Sequence, residues 1–435
     1  MPGPGQREHQ GRRILLIMLV LLLAACTLAT AQPTTTPAPA TPVPALSGEP
    51  LIVAWAAGGD LFTWHDDDLP RRIASGGVIR PFLSPDGAWV AYLRGPGGDP
   101  RTLWVSDTPG ANERQLIDAA ALPVGDASRR LSEIVWSADS GTLYFNTLTG
   151  ESINIRPADD LWRVEVRTST AEHLLADGEG GAIALSPDGK LLALASAGEY
   201  TQPGEPLRTP GRVVFYTLAT RERRVVLEFA PVATASERRW TPGLSWMPDS
   251  SGLHVAIPPA DLIYGSGDGL MTALWWLPVA GDAIQTGQVD ADFFGLPVFS
   301  ADGAWITYLQ RRQTPDQDRI TLLIAQGDGV DATAYLEGAV GTLTLPEWLP
   351  GSARFVLVNG APGTRWIGGP GGTPVRFPAE GVPVDEIVWA GTDTYVFSTS
   401  ADQAFTLQWG RLDGSTLPQT IATLDAYPFF DAILP

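Results

Sequence analysis

Beyond the first 25 residues the chain offers three imidazoles, His65, His173 and His254, as bases for hydrolytic chemistry near neutral pH. Each falls on or beside a different strand-like apolar segment, and no Gly-x-Ser-x-Gly elbow accompanies any of them. A serine nucleophile needs its base within hydrogen-bond reach, so these histidines are expected to be structural. Paired carboxylates are the second chemistry on offer. A retaining glycosidase needs two carboxyl groups about 5 Å apart and an inverting one up to about 9.5 Å, and the candidates are Glu133, Glu347 and Glu386, which precede recurrent turns. The acidic runs Asp66-Asp67-Asp68, Asp159-Asp160 and Asp328 to Asp331 could give oxygens to Ca2+, but none follows an Asp-x-Asp-x-Asp-Gly pattern. Solvated turns are the expectation there, with no metal and no cofactor. Cys26 is the only cysteine, which excludes an internal disulfide and a cysteine-based metal site.

The elements that must position these groups form a repeat. An apolar strand, a tight turn and a second apolar strand recur as Pro81-Phe82-Leu83-Ser84-Pro85-Asp86-Gly87-Ala88-Trp89, Ile134-Val135-Trp136-Ser137-Ala138-Asp139-Ser140-Gly141 and Ala184-Leu185-Ser186-Pro187-Asp188-Gly189. Variants follow at Met247-Pro248-Asp249, Ser300-Ala301-Asp302-Gly303, Leu349-Pro350-Gly351 and Ala390-Gly391. Residues 84, 137, 186, 247, 300, 349 and 390 are separated by 53, 49, 61, 53, 49 and 41 residues, the spacing of propeller blades. In such a turn Pro presets φ, Asp hydrogen-bonds the backbone ahead of it, and Gly accepts the positive φ that closes a hairpin. A third strand carrying an aromatic (Leu103-Trp104, Leu161-Trp162, Leu274-Trp275, Arg365-Trp366) and a fourth strand complete each unit. The tryptophans beside the turns, Trp89, Trp136, Trp246, Trp305, Trp348 and Trp389, are expected to pack between blades.

Seven turns suggest seven blades, and the chain ends argue for eight. Ser47 to Trp55 echoes a turn and second strand with no first strand before it, while Asp425 to Leu434 matches the first strand Asp290 to Phe299 and stops where a turn should begin. The expected fold is all-β, an eight-bladed propeller of four-stranded blades whose N- and C-terminal strands share the closing blade, with seven blades as the alternative. A composition of 44% hydrophobic and 18% charged residues, with 47 Gly and 38 Pro, suits this. The net charge of −19 repels nucleic acid.

An apolar residue or Trp before repeated Ser-Pro-Asp-Gly turns resembles the TolB-like family of bacterial propeller repeats, related to WD repeats, from Ser47 to Pro435. The resemblance implies an extracytoplasmic binding or scaffold module, although similar repeats form the propeller half of some prolyl peptidases. No hydrolase domain is left over here, so a non-enzymatic role is expected.

Residues 1–25 are expected to be an export signal, with Arg7, Arg12 and Arg13 ahead of the uncharged apolar run Ile14 to Ala25. That run is shorter than the ~20 residues of a spanning helix. Leu23-Ala24-Ala25-Cys26 resembles the lipobox of bacterial lipoproteins, which would make Cys26 a lipidated first residue; Ala29-Thr30-Ala31 offers the competing cleavage site of a freely secreted protein. Residues 26–46, rich in Thr and Pro, form the expected tether, and residues 47–435 the propeller. The expected product is a monomeric propeller, exported and held to the membrane by lipid, with a protein or cell-envelope component as partner.

Blade topology places the Ser-Pro-Asp-Gly turns on one face and the second-to-third and blade-to-blade loops on the other. Long segments (118–131, 147–160, 197–211, 230–242 and 258–271) lie on that second face, where rigid scaffolds carry function. Its candidate binding residues are Arg156, Tyr200, Arg238, Arg239, Trp240 and Tyr264, because aromatics and arginine anchor interfaces. Glu133 and Glu386 stand four residues before the turn position, too many blades apart for a direct catalytic partnership; a propeller glycosidase or lyase remains the alternative function.

Overall fold

The computed structural model describes residues 50–66, 68–122, 129–151, 155–198, 209–232, 239–260, 271–314, 317–360, 363–378, 382–413 and 417–435. They form eight antiparallel sheets, each built on four strands, which are the blades of a β-propeller. Blade 1 joins the two ends of the chain: its strand order is Phe429–Ile433, Ile52–Ala57, Asp60–His65, Arg71–Ala74. Trp55 pairs with Phe430 and Val53 with Ala432 in that seam. The expected eight blades are therefore present, and seven is excluded. Blade 3 carries one addition, the two-residue strand Arg156–Pro157 paired with Leu148 and Thr149.

The sequence of the strands explains their place in the ring. Second strands are apolar on both faces, as in Ile-Val-Ala-Trp-Ala-Ala at Ile52–Ala57, because a neighbouring blade covers each side; Val53, Ala54 and Trp55 are all buried. Fourth strands such as Thr170–Leu175 face solvent at the periphery and are polar. The cores lie between blades. Leu103 and Val105 of blade 2 pack with Trp136, Phe145 and Trp162 of blade 3, each such side chain stabilising by about 1.5–3 kcal/mol.

The turns both close hairpins and join blades. Ser84 Oγ donates to Asp86 Oδ1 at 2.6 Å and accepts from the Trp89 N–H at 3.0 Å, while Gly87 takes φ +67°. Ser137, Ser186 and Ser300 repeat the serine–aspartate bond. Where the turn glycine is replaced by serine, the new hydroxyl gains a partner: Ser140 Oγ accepts from Asp86 N–H at 3.2 Å, and Ser250 Oγ from Asp188 N–H at 2.9 Å. Both residues adopt positive φ, and the hydrogen bonds to the preceding blade help offset that strain.

Indole groups make a second set of ties. Trp136 donates to Phe82 O, Trp246 to Ala184 O and Trp348 to Val298 O at 3.0–3.1 Å, each onto the first strand of the preceding blade. These bonds bring first strands together, so the first strands line the central channel. Trp389 stands at the same register in blade 8, and its buried Nε1 has no hydrogen-bond partner among the described residues.

Candidate site at the channel mouth

Side chains alternate along a strand, so the fourth and second residues before each turn position point to the same side. The fourth positions are Asp431, Arg80 and Glu133 in blades 1, 2 and 3 and Glu386 in blade 8, four consecutive blades of the ring; in blades 4 to 7 they are Ala182, Gly243, Leu296 and Leu345. At this position one half of the ring is charged and the other is uncharged; Glu347, two residues before its turn in blade 7, adds a charge to the second half.

Two of these carboxylates are struts. Asp431 accepts from Leu83 N–H at 2.7 Å and from Ala432 N–H at 2.9 Å, linking blade 1 to blade 2. Glu133 Oε2 accepts from Ile183 N–H at 2.7 Å and Asn146 Nδ2 at 3.1 Å, linking blade 3 to blade 4. Lost hydration in the crowded wall raises both pKa values, against the opposing pull of these backbone bonds.

Glu386 and Glu347 are placed differently. Together with Arg80, Arg365, Trp348 and Trp389 they line one cavity of about 500 Å3. Glu347 lies two residues before its turn position, in blade 7, and Glu386 four residues before its own, in blade 8. The tryptophan tie is missing between these two blades. Arg365, the first residue of the strand Arg365–Gly368, donates to Asp385 O at 2.9 Å. Burial lowers its pKa, opposed first by Glu347 and then by Glu386. Desolvation raises the pKa of Glu347 against Arg365. It raises that of Glu386 too, against a Tyr427 hydrogen bond and the charges of Arg80 and Arg365.

A second pocket of about 280 Å3 adjoins the first, walled by Tyr427 and Phe429 and floored by Gly58, Gly59, Gly77, Gly95, Gly97 and Gly98. Tyr427 Oη donates to Glu386 Oε2 at 3.3 Å, so a wall of the second pocket is hydrogen-bonded to a lining residue of the first. Strand direction puts the second pocket on the face opposite the Ser-Pro-Asp-Gly turns, while the first cavity runs along the channel as far as the turn residue Pro350. The paired strands Trp305–Thr314 with Gln317–Gln326 and Thr394–Ala401 with Ala404–Arg411 extend that face in blades 6 and 8.

The residues singled out from sequence fall elsewhere on this face. Arg156 is exposed on the added strand of blade 3. Arg239 lies 3.7 Å from Asp159 across an ion pair. Trp240 is half-buried and meets Phe229 edge-to-face. Tyr200, Arg238, Tyr264 and Cys26 lie outside the described residues. Sequence reading missed Arg80, Asp431, Arg365 and Tyr427; aligning the position four before each turn would have found the first two.

The histidines have packing neighbours. His173 stacks on Trp162 at 3.9 Å, and His254 packs against Trp276 and Phe299. Asp160, His173 and Asp177 lie close enough to suggest a metal centre. Arg129 already fills that role as a cation: its guanidinium donates to Asp160 at 2.9 Å and to Asp177 at 2.7 Å. Asp160 also accepts from Thr147 and from Trp162 Nε1, so its oxygens are engaged. Next to it, desolvation raises the Asp159 carboxyl to about 6, opposed by Arg239.

No family model matches the chain, and no curated protein matches it. Solved structures do. A prolyl endopeptidase aligns at 14% identity and TM-score 0.52, over 82% of this chain and 50% of its own. A eukaryotic initiation factor aligns at 12% identity and TM-score 0.50, over 88% and 98%. TolB from Acinetobacter baumannii aligns at 13% identity and TM-score 0.35, over 81% and 66%. The likeness is one of fold. The chain spans half the length of the prolyl endopeptidase, and all but its first 48 residues belong to one compact unit that begins at Glu49.

Proposed function

We propose that this propeller is a TolB-like, lipid-anchored extracytoplasmic binding or scaffold module whose ligand, a protein or envelope component, docks at the channel mouth between blades 7, 8, 1 and 2. The observation that carries the reading is the shared cavity of Glu347, Glu386, Arg80 and Arg365. Glu133 and Asp431 on the same wall are consumed as struts, whereas Glu347 and Arg80 face the cavity with no hydrogen bond or ion pair among the described residues. Such convergent polar groups in a concavity characterise ligand sites.

Envelope extract passed over the full chain and over the Glu347→Gln/Glu386→Gln/Arg365→Met variant tests this. Retention of one defined component by the parent and its loss from the variant is the expected result; equal retention by both refutes the site. Anchoring rests on the Leu23-Ala24-Ala25-Cys26 resemblance. Cys26→Ser should move the protein from the membrane fraction to the soluble one, and unchanged fractionation would rule the lipid anchor out.

A glycan-active enzyme is the second reading, favoured by one observation: two carboxyl groups of raised pKa, Glu347 and Glu386, line the same cavity. One could hold a proton while the other stays ionised, as general acid–base pairs do. Turnover of a panel of cell-wall and plant glycans, abolished by Glu386→Gln or Glu347→Gln, would establish it in place of the first.

A further inference from the structure

We propose that the ligand of this mouth is a basic peptide segment in which an aromatic side chain neighbours a lysine or arginine, the cation entering the Glu347–Glu386 cavity and the ring entering the glycine-floored pocket. The inference rests on the binding reading above and adds the class of ligand.

Charge selects the cation. The cavity itself is lined by two carboxylates, Glu347 and Glu386, and two guanidiniums, Arg80 and Arg365; Asp385 beside Arg365 and the strut Asp431 beside Arg80 tilt the surroundings negative, and the whole chain carries −19. A positive group is drawn toward this mouth and an anion is repelled. A neutral sugar would gain nothing from that field.

Shape selects the ring. Phe429 is 44% and Tyr427 38% exposed, large aromatic surfaces left open beside charge. Tyr427 meets Phe429 at 67° and Phe405 at 80° between planes. Edge-to-face rings give no continuous flat platform for a pyranose; they wall a slot that a planar side chain fills in the same tilted manner. The opposite wall is kept bare. Gly58 and Gly98 adopt φ +59° and +84°, and a Cβ at either would meet nothing within 4 Å, so the backbone holds open space that any other residue would occupy at a conformational cost.

Tyr427 fixes the order of the two groups. Its ring walls the slot and its hydroxyl reaches Glu386 in the cavity, so a ring and a cation on neighbouring residues can be held together.

The test is an array of random dodecapeptides probed with the full chain, beside an array of neutral glycans. The expected result is enrichment of peptides with Phe, Tyr or Trp next to Lys or Arg. Phe429→Ala and Tyr427→Ala should abolish the aromatic preference, keep the basic one and weaken binding roughly tenfold, or ~1.4 kcal/mol; thermal midpoints matching the parent confirm folding. Glu347→Gln/Glu386→Gln should abolish the basic preference. Basic selection with no aromatic preference, or one unchanged in both aromatic variants, overturns this inference and leaves the binding reading intact. Glycan capture without peptide selection overturns the peptide class. Binding of every probe unaltered by Glu347→Gln/Glu386→Gln overturns both.

Discussion

The Tyr427 hydroxyl donates to Glu386 Oε2 across 3.3 Å, and by that bond the approach to the closing strand is joined to blade 8, tying a wall of one pocket to the lining of the other. Burial raises the Glu386 pKa and this bond works against the rise. Tyr427→Phe should therefore raise it further, read by NMR titration of the carbon-13-labelled carboxyl. Because the folded pKa already exceeds the unfolded one, Glu386 favours folding at low pH and loses that advantage as pH climbs from the unfolded to the folded value; the variant should widen that window upward.

Asp159 gives a sharper pH dependence. Its folded pKa is about 6 against a reference of 3.8. Protonation is favoured in the folded state, so stability is lost as pH rises from about 4 to about 6 and is level above that, by an order of 3 kcal/mol at 1.36 kcal/mol per unit. Asp159→Asn should remove this slope. Urea unfolding midpoints of parent and variant at pH 4 and pH 7 check it: the two should diverge at pH 7, with the variant the more stable, and differ less at pH 4.

Arg129 and Asp160 are 2% and 0% exposed and joined at 2.9 Å. Without Asp160 the buried Arg129 guanidinium keeps only the half-exposed Asp177, and the Thr147 N–H and Trp162 Nε1 lose their acceptor, a loss of about 3–5 kcal/mol. Asp160→Ala should therefore lower the chemical-denaturation midpoint far more than Asp177→Ala, whose side chain is 51% exposed.

Closure of the ring depends on the last strand. Phe430 is 3% exposed in the core shared with Val396, Leu407 and Trp409 of blade 8. Phe430→Ala should destabilise by about 3–5 kcal/mol. Hydrogen exchange should show the loss first in Ile52–Ala57, the strand that pairs with this seam.

Much of the fold was legible because it is local and repeated. Ser84, Ser137, Ser186 and Ser300 mark hairpins by the conformations their neighbours accept, and the incomplete ends at Ser47 and Asp425 imply one another. The site was less legible. Glu347 and Glu386 look unrelated at different offsets from their turns, and Arg365 starts a third strand with no motif around it. Ser140 and Ser250 look like decayed turns and prove to be ties between blades.

Sequence by itself determined the repeat and pointed to eight blades with a shared closing blade, since strand periodicity and turn chemistry act within a few residues; pairing of Ile52–Ala57 with Phe429–Ile433 decided eight over seven. Tertiary structure alone decided which charged groups meet. Alternation tells which side of a strand a carboxylate takes, but whether it becomes a strut, as Asp431 does on Leu83, or faces a cavity, as Glu347 does, depends on what the next blade presents opposite it. That is set by closing the ring.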